Sequence, residues 1–246
     1  FPTRRSSDLE DSNAIGIGGN QADDTSMDAG AAYVFVRDPQ GQWTQQAYLK
    51  ASNTDPGDCF GWDVALSSDG STLAVSARYE DSAAVGVNGN QADDTATDAG
   101  AVYMFARDGQ GTWSQQAYLK ASNTDAGDWF ASIALSGDGN TLAVGSYMED
   151  SIGTGIGNDK QNDDSEADSG ALYVFVRAGQ NTWVQQQYIK ASNTDAGDAF
   201  GIDVSLSHDG NTLSATAQWE DSGSPGVGGS QLSETKINSG AIYVFG

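Results

Sequence analysis

Trp113-Ser-Gln-Gln-Ala-Tyr-Leu-Lys-Ala-Ser-Asn-Thr-Asp-Ala-Gly-Asp128 is written three times in this chain with minor changes. Trp43 opens the first copy and Trp183 the last, each seventy residues from its neighbour. A fixed period above about twenty residues marks one structural unit stacked on copies of itself. Most side chains are therefore parts of a module. Chemistry confined to one place should fall on residues that break the repeat.

Working outward from Trp113, each unit reads as four short strands. Phe60-Gly-Trp-Asp-Val-Ala-Leu-Ser alternates, which places Phe60, Trp62, Val64 and Leu66 on one face. Ser68-Asp-Gly-Ser71 has the composition of a tight Asp-Gly turn, and Thr72-Leu-Ala-Val-Ser follows as the second strand. A long loop, 81–99, leads to Gly100-Ala-Val-Tyr-Met-Phe-Ala-Arg107. That third strand is apolar on both faces, with Tyr103 and Phe105 on one and Val102 and Met104 on the other. A Gly-rich hairpin at 108–112 then gives Trp113–Lys120, polar at alternate positions and expected outermost. β-Branched and aromatic residues fill the strands; Gly, Asp and Asn fill the joints. No stretch has a helical period.

Four antiparallel strands repeated in tandem are the mark of a β-propeller blade. Tandem sandwiches are the competing reading, but about 100 residues is usual for such a domain. The expectation is an all-β open arc of about three blades. Residues 10–57 form a partial blade with its last two strands, 58–127 and 128–197 form whole blades, and 198–246 form a blade lacking its fourth strand. Such an arc has the neighbouring blades of a longer propeller as its first partners. Phe130-Ala-Ser-Ile-Ala-Leu is one residue shorter than Phe60-Gly-Trp-Asp-Val-Ala-Leu, and the next loop restores the period. Residues 1–9 match nothing in the repeat. They resemble the translation of a sequencing adapter and are set aside from fold reasoning.

Phe60-Gly61 and Phe200-Gly201, each followed by an Asp-Gly turn, resemble FG-GAP repeats, as do the Leu-Ala-Val-Ser-Ala and Leu-Ala-Val-Gly-Ser strands. These are the blades of the integrin α-subunit propeller and of many bacterial surface or secreted proteins. The departures are Phe130-Ala131 in place of Phe-Gly, and Ser76-Ala-Arg78 where the second half of the motif would be read. The resemblance implies an adhesion or ligand-binding module, secreted or on a cell surface. It also implies a calcium loop between the first two strands. Here Asp69-Gly70, Asp138-Gly139 and Asp209-Gly210 keep only the last Asp and Gly of that loop. Calcium takes six to eight oxygens, so these aspartates are read as turn formers.

In an up-and-down unit the loop after strand two and the link after strand four emerge on one side. The two short turns emerge on the other. Loops 11–29, 81–99, 150–169 and 221–239 should therefore share a face with the Asn-Thr-Asp-x-Gly-Asp links at 53–58, 123–128 and 193–198. Long loops on a rigid scaffold are where binding tends to live, and the resemblance puts ligands on this side. Its candidates are the link acids Asp125, Asp128, Asp195 and Asp198. The loop acids Asp93, Asp94 and Asp98, and their counterparts Asp163, Asp164 and Asp168, have two readings. Spaced carboxylates with backbone carbonyls could hold Ca²⁺, the sole cofactor suggested. Alternatively they cap turns by bonding local N–H groups. Glu80-Asp81-Ser82 recurs at 10–12, 149–151 and 220–222 and is read as a structural anchor.

Eleven Lys and Arg against 34 Asp and Glu give a net charge of −23. Such a chain repels phosphate backbones and anionic lipid, so no nucleic-acid partner is expected. No apolar run approaches membrane-spanning length, so membrane insertion is not expected either. A protein or glycan partner is. Single Cys59 permits no internal disulfide and is read as a buried small apolar residue. The polar residues that break the repeat are Cys59, Lys160, Glu166, His208, Glu234 and Lys236. They suggest no nucleophile–base–orienter set, and an enzyme is not expected. Two other readings stand beside the interaction module: spacer blades of a large surface protein, and a polysaccharide-active propeller enzyme. Loops 150–169 and 221–239 diverge most from the other copies, which favours binding over spacing.

Overall fold

The computed structural model describes residues 10–157, 160–179, 181–231 and 235–246; the adapter-like segment 1–9 lies outside them. They form thirteen strands and no helix. A first sheet pairs β1 (Ala32–Arg37) with β2 (Trp43–Leu49). The second runs in order through β3 (Phe60–Leu66), β4 (Thr72–Ala77), β5 (Ala101–Arg107) and β6 (Trp113–Leu119). The third repeats it with β7 (Phe130–Leu135), β8 (Thr141–Ser146), β9 (Ala171–Gly179) and β10 (Thr182–Ile189). The last holds β11 (Phe200–Leu206), β12 (Leu213–Ala217) and β13 (Ala241–Phe245). Every pairing within the sheets is antiparallel between sequence neighbours. The sheets are open and follow the two, four, four and three strands expected of partial propeller blades.

Burial follows the pattern of the third strands. Tyr103 and Phe105 of β5 pack in one cluster with Ala32, Ala47 and Leu49 of the sheet before. Val102 and Met104 pack in another with Phe130, Ile133, Leu142 and Val144 of the sheet after. The same interdigitation continues through Ala143, Leu172 and Val174 onto Phe200, Val204 and Leu213. Each of the two whole blades is thus apolar on both faces because it has a neighbour on both. The first strands β3, β7 and β11 lie side by side, and the fourth strands sit at the far edge of each sheet.

Alternation along β3 is interrupted. Its register on β4 jumps from Phe60–Ala77 to Val64–Val75, leaving three residues against one. This bulge separates Phe60, which is buried, from Trp62, Val64 and Leu66, which are each about half exposed. The four do not form one face. The bulge also explains the Phe-Gly pair. Gly61 has φ +93, and a Cβ there would lie 2.6 Å from the carbonyl oxygen of Ala31. In β7 the bulge is one residue smaller, and Ala131 is absent from the positive-φ residues. The missing residue and the Gly-to-Ala change are a single local event.

Backbone hydrogen bonds join sheet to sheet. Phe60 N–H donates to Ala29 O, Phe130 N–H to Ala99 O and Phe200 N–H to Ser169 O, at 3.0–3.1 Å. Gly100 sits at φ +80 in this contact, where a Cβ would meet Phe130 N at 2.6 Å.

Loops and links share one side of the arc. Gly127 N–H donates to Thr97 O, and Gly86 N–H to Ala121 O. The first three long loops also run against outer strands, through bridges of Ile17 with Leu49, Val87 with Leu119 and Ile156 with Ile189. The Asp-Gly connections gather elsewhere: Ser68 N–H donates to Gly137 O, and Gly137 N–H to His208 O. These connections span 67–71 in the first whole blade, wider than a two-residue hairpin turn.

Candidate functional site

The loop side is built on a buried polar knot. Glu80, beyond β4, accepts hydrogen bonds from Tyr118 Oη at 2.6 Å, Lys120 Nζ at 2.9 Å and Asn53 Nδ2 at 2.9 Å. Asn53 in turn accepts from Tyr103 Oη at 2.6 Å. The next blade repeats the knot with Glu149, Tyr188, Lys190, Asn123 and Tyr173. Lys50 pairs with Glu10 at 2.9 Å in the first sheet, and Asn193 bonds Glu220 in the last. Lys50, Lys120 and Lys190 are fully buried. Burial pushes Lys120 and Lys190 down from the usual lysine value, and the facing carboxylate opposes it. The Glu-Asp-Ser anchor, the Tyr-x-Lys ending of the fourth strand and the Asn of the link therefore recur for one reason. Each of the first three sheets closes on one ion pair, and in the last three an Asn ties in the preceding link. The lysines were not singled out from sequence, although Glu80 and Lys120 keep nearly the same spacing in three copies.

The loop acids separate into two kinds. Asp93 Oδ1 accepts from Thr95 N at 3.0 Å and Thr95 Oγ1 at 2.6 Å, closing a local turn. Asp98 and Asp168 hold φ of 57° and 55°, a left-handed conformation that Asp and Asn tolerate best. Their N–H groups donate at 2.7 Å to Asp81 and Asp150. Asp94, Asp163 and Asp164 are exposed. No three His, Cys, Asp or Glu side chains converge in metal-holding geometry among the described residues. Among the described residues these side chains do not gather as calcium ligands would; Asp93 fits the turn-capping reading, whereas Asp98 takes the turn conformation and has its own N–H capped by Asp81.

The link acids also differ from one another. Asp125 and Asp195 are exposed, whereas Asp128 and Asp198 are buried. Asp128 Oδ2 accepts from Asp125 N at 3.2 Å, and Asp58 does the same for Asp55, so the second acid folds its own link. Burial holds the Asp58 and Asp128 carboxyls up at about 8, with Glu80 and Glu149 adding repulsion. Asp55 and Asp125 are raised by partial burial, then by Asp94 and Asp164 of the adjoining loops. The structure thus brings link acid and loop acid together across each junction.

The turn side treats the same residue type in the opposite way. Asp69 accepts from Ser67 Oγ, Ser71 N and Ser71 Oγ at 2.7–2.9 Å, which holds its carboxyl down at about 2. Asp138 and Asp209 follow the pattern with Ser136 and Ser207. These are turn formers, as read. His208 is exposed beside Ser68 on this side, away from Glu166 and Lys236 in the long loops. Glu234 lies outside the described residues. Cys59 is only partly buried, and its backbone is left-handed like that of Trp129 and Ala199, its counterparts.

One constellation was missed. Arg78 lies at the loop-side end of β4 with its guanidinium 4.3 Å from the ring centre of Trp62 and 3.9 Å from that of Trp129. Tyr79 and Tyr147 complete the ring at 5.2 and 5.4 Å, and Arg78 donates to the Tyr147 hydroxyl. Trp129 packs edge-on against Tyr79 and Tyr147. The signal was present in the sequence: Trp129 stands where the other copies have Cys59 and Ala199.

Stacked four-stranded antiparallel sheets with first strands side by side and long connections on one side define a partial β-propeller. The FG-GAP repeat family model matches residues 43–105, 113–175 and 183–245. The chain belongs to the FG-GAP repeat family, and is a propeller-type interaction or structural module. Each matched unit starts on an outer strand and ends on the third strand of the next sheet, so the repeat unit straddles two blades. A search of curated proteins finds no match.

Proposed function

We propose that this chain is a non-enzymatic recognition module, working outside the cell or on its surface, which engages a protein or glycan through its loop side. The observation that carries this reading is a charge imbalance. Lys50, Lys120 and Lys190 are withdrawn into buried ion pairs. Asp55, Asp94, Asp125, Asp164 and Asp195 stay exposed on the loops and links. A rigid face of one sign raises the local concentration of complementary partners and repels others. FG-GAP repeats are typical of extracellular or surface proteins, in keeping with this setting. The spacer reading draws on a different observation, the bonding of the first three long loops to outer strands.

Glycan and peptide arrays probed with the chain separate the two. Recognition predicts saturable binding that falls when Asp55, Asp125 and Asp195 become Asn, and persists when Asp69, Asp138 and Asp209 do. No binding to either array, or loss only with the turn-side set, favours the spacer.

A further inference from the structure

The geometry points to a site for a neutral glycan at the Trp62–Arg78–Trp129 constellation; this rests on the loop side being the recognition face and names its ligand class. Three observations carry it. First, the constellation belongs to one junction. At the next junction Tyr147, Met148, Ala199 and Gln218 replace Arg78, Tyr79, Trp129 and Tyr147; β7, one residue shorter, has no tryptophan in the place of Trp62, and the last sheet has Ile202 there. That junction packs through its own apolar cluster, and Ser132 Oγ donates across it to Ile202 O. Stacking of blades does not require the aromatic ring. Second, the arrangement is not tuned for stability. Arg78 Nε is buried and finds no acceptor, a cost that blade packing alone does not explain. Third, Trp62 remains 50% exposed although Arg78 covers part of it.

The chemistry selects the ligand. A half-exposed indole offers an electron-rich face to the C–H face of a pyranose ring. Arg78 lies over the indoles of Trp62 and Trp129 and adds a polar edge to them, and Asp98, whose backbone carbonyl accepts from Trp129 N–H at 3.3 Å, brings a carboxylate acceptor to the same junction. Sugar hydroxyls donate to such carboxylates without bringing negative charge. Uronic or sulfated glycans are disfavoured by the net charge of −23. A cationic protein segment would match the charge, but five side chains are a small part of the roughly 800 Å² per partner of a stable protein interface.

The test uses variants that the chain itself tolerates: Trp62→Ile, Arg78→Gln and Trp129→Ala, each copying its counterpart in the last sheet. Trp43→Ala, an exposed indole in the first sheet, is the control. Calorimetric titration is run with hexamers of glucose, mannose, xylose and N-acetylglucosamine, with hexagalacturonate and with octalysine. Saturable binding of a neutral hexamer, weakened about tenfold by each of the three variants and unchanged by Trp43→Ala, is the expected result. Absence of neutral-hexamer binding up to about 10 mM overturns the proposal. So does neutral-hexamer binding that the three variants leave intact, or constellation-dependent binding of hexagalacturonate or octalysine alone. Binding lost with Asp55, Asp125 and Asp195 but not with the constellation would keep the recognition face and discard the glycan site. Binding indifferent to both sets would discard both.

Discussion

The two sides of the arc use aspartate in opposite ways. On the turn side Asp69 and Asp209 sit in water, take several hydrogen bonds, and hold their carboxyls at about 2. On the loop side Asp58 and Asp128 are buried beside Glu80 and Glu149 and are held at about 8. The repeat copies both with equal fidelity. Recurrence therefore identifies a required residue without saying whether it stabilises the fold. The turn-side acids close hairpins. The loop-side acids fold a link while crowding negative charge around one buried lysine.

The largest expected effect tests that lysine. Lys120→Met leaves Glu80 buried without its counter-charge and should cost about 3–5 kcal/mol in urea unfolding. Adding Glu80→Gln should recover much of it; a single variant as stable as the parent would show that the ion pair does not balance the loop side. Next in size is Gly100→Ala, which forces a left-handed alanine against Phe130 N and should cost about 1–3 kcal/mol by the same measurement.

The pH dependence should then run in two directions. For Asp58 and Asp128 the folded value lies above the unfolded value of about 4, so the folded state binds more protons between those values. Their contribution is complete below about pH 4 and is lost as pH rises through 8. Asp69 and Asp209 contribute above about pH 4 and lose that contribution as pH falls towards 2. Thermal unfolding followed from pH 2 to 9 should show a maximum on the acid side of neutrality. Asp58→Asn with Asp128→Asn should flatten the alkaline limb alone. The smallest effect is Asp69→Ala, a Tm loss of about 2–4 °C that vanishes near pH 2. An equal loss at every pH would separate the turn from its charge.

The fold was legible because the repeat multiplies weak signals. One alternating stretch is ambiguous, but three at fixed spacing with Gly and Asp joints leave few architectures. The third strand announced its two neighbours through Val102 and Met104 on one side and Tyr103 and Phe105 on the other. The face of Phe60 was not legible, since a bulge is set by the close approach of Ala31 to Gly61 rather than by local pattern. Lys120 ends a strand read as polar at alternate positions and outermost, and nothing local marks it as buried, because its partner Glu80 lies far away in sequence. Arg78 and its four aromatic neighbours meet only once two blades are stacked, though the break in the repeat at Trp129 marked the place.

The backbone bond from each Phe-x strand to the end of the preceding loop has a mechanical side. A blade so fastened holds its own sheet and the seam to its neighbour through the same few residues. Stretched between its termini in a force experiment, the chain should yield as a staircase, each step freeing one repeat and lengthening the tether by on the order of 240 Å.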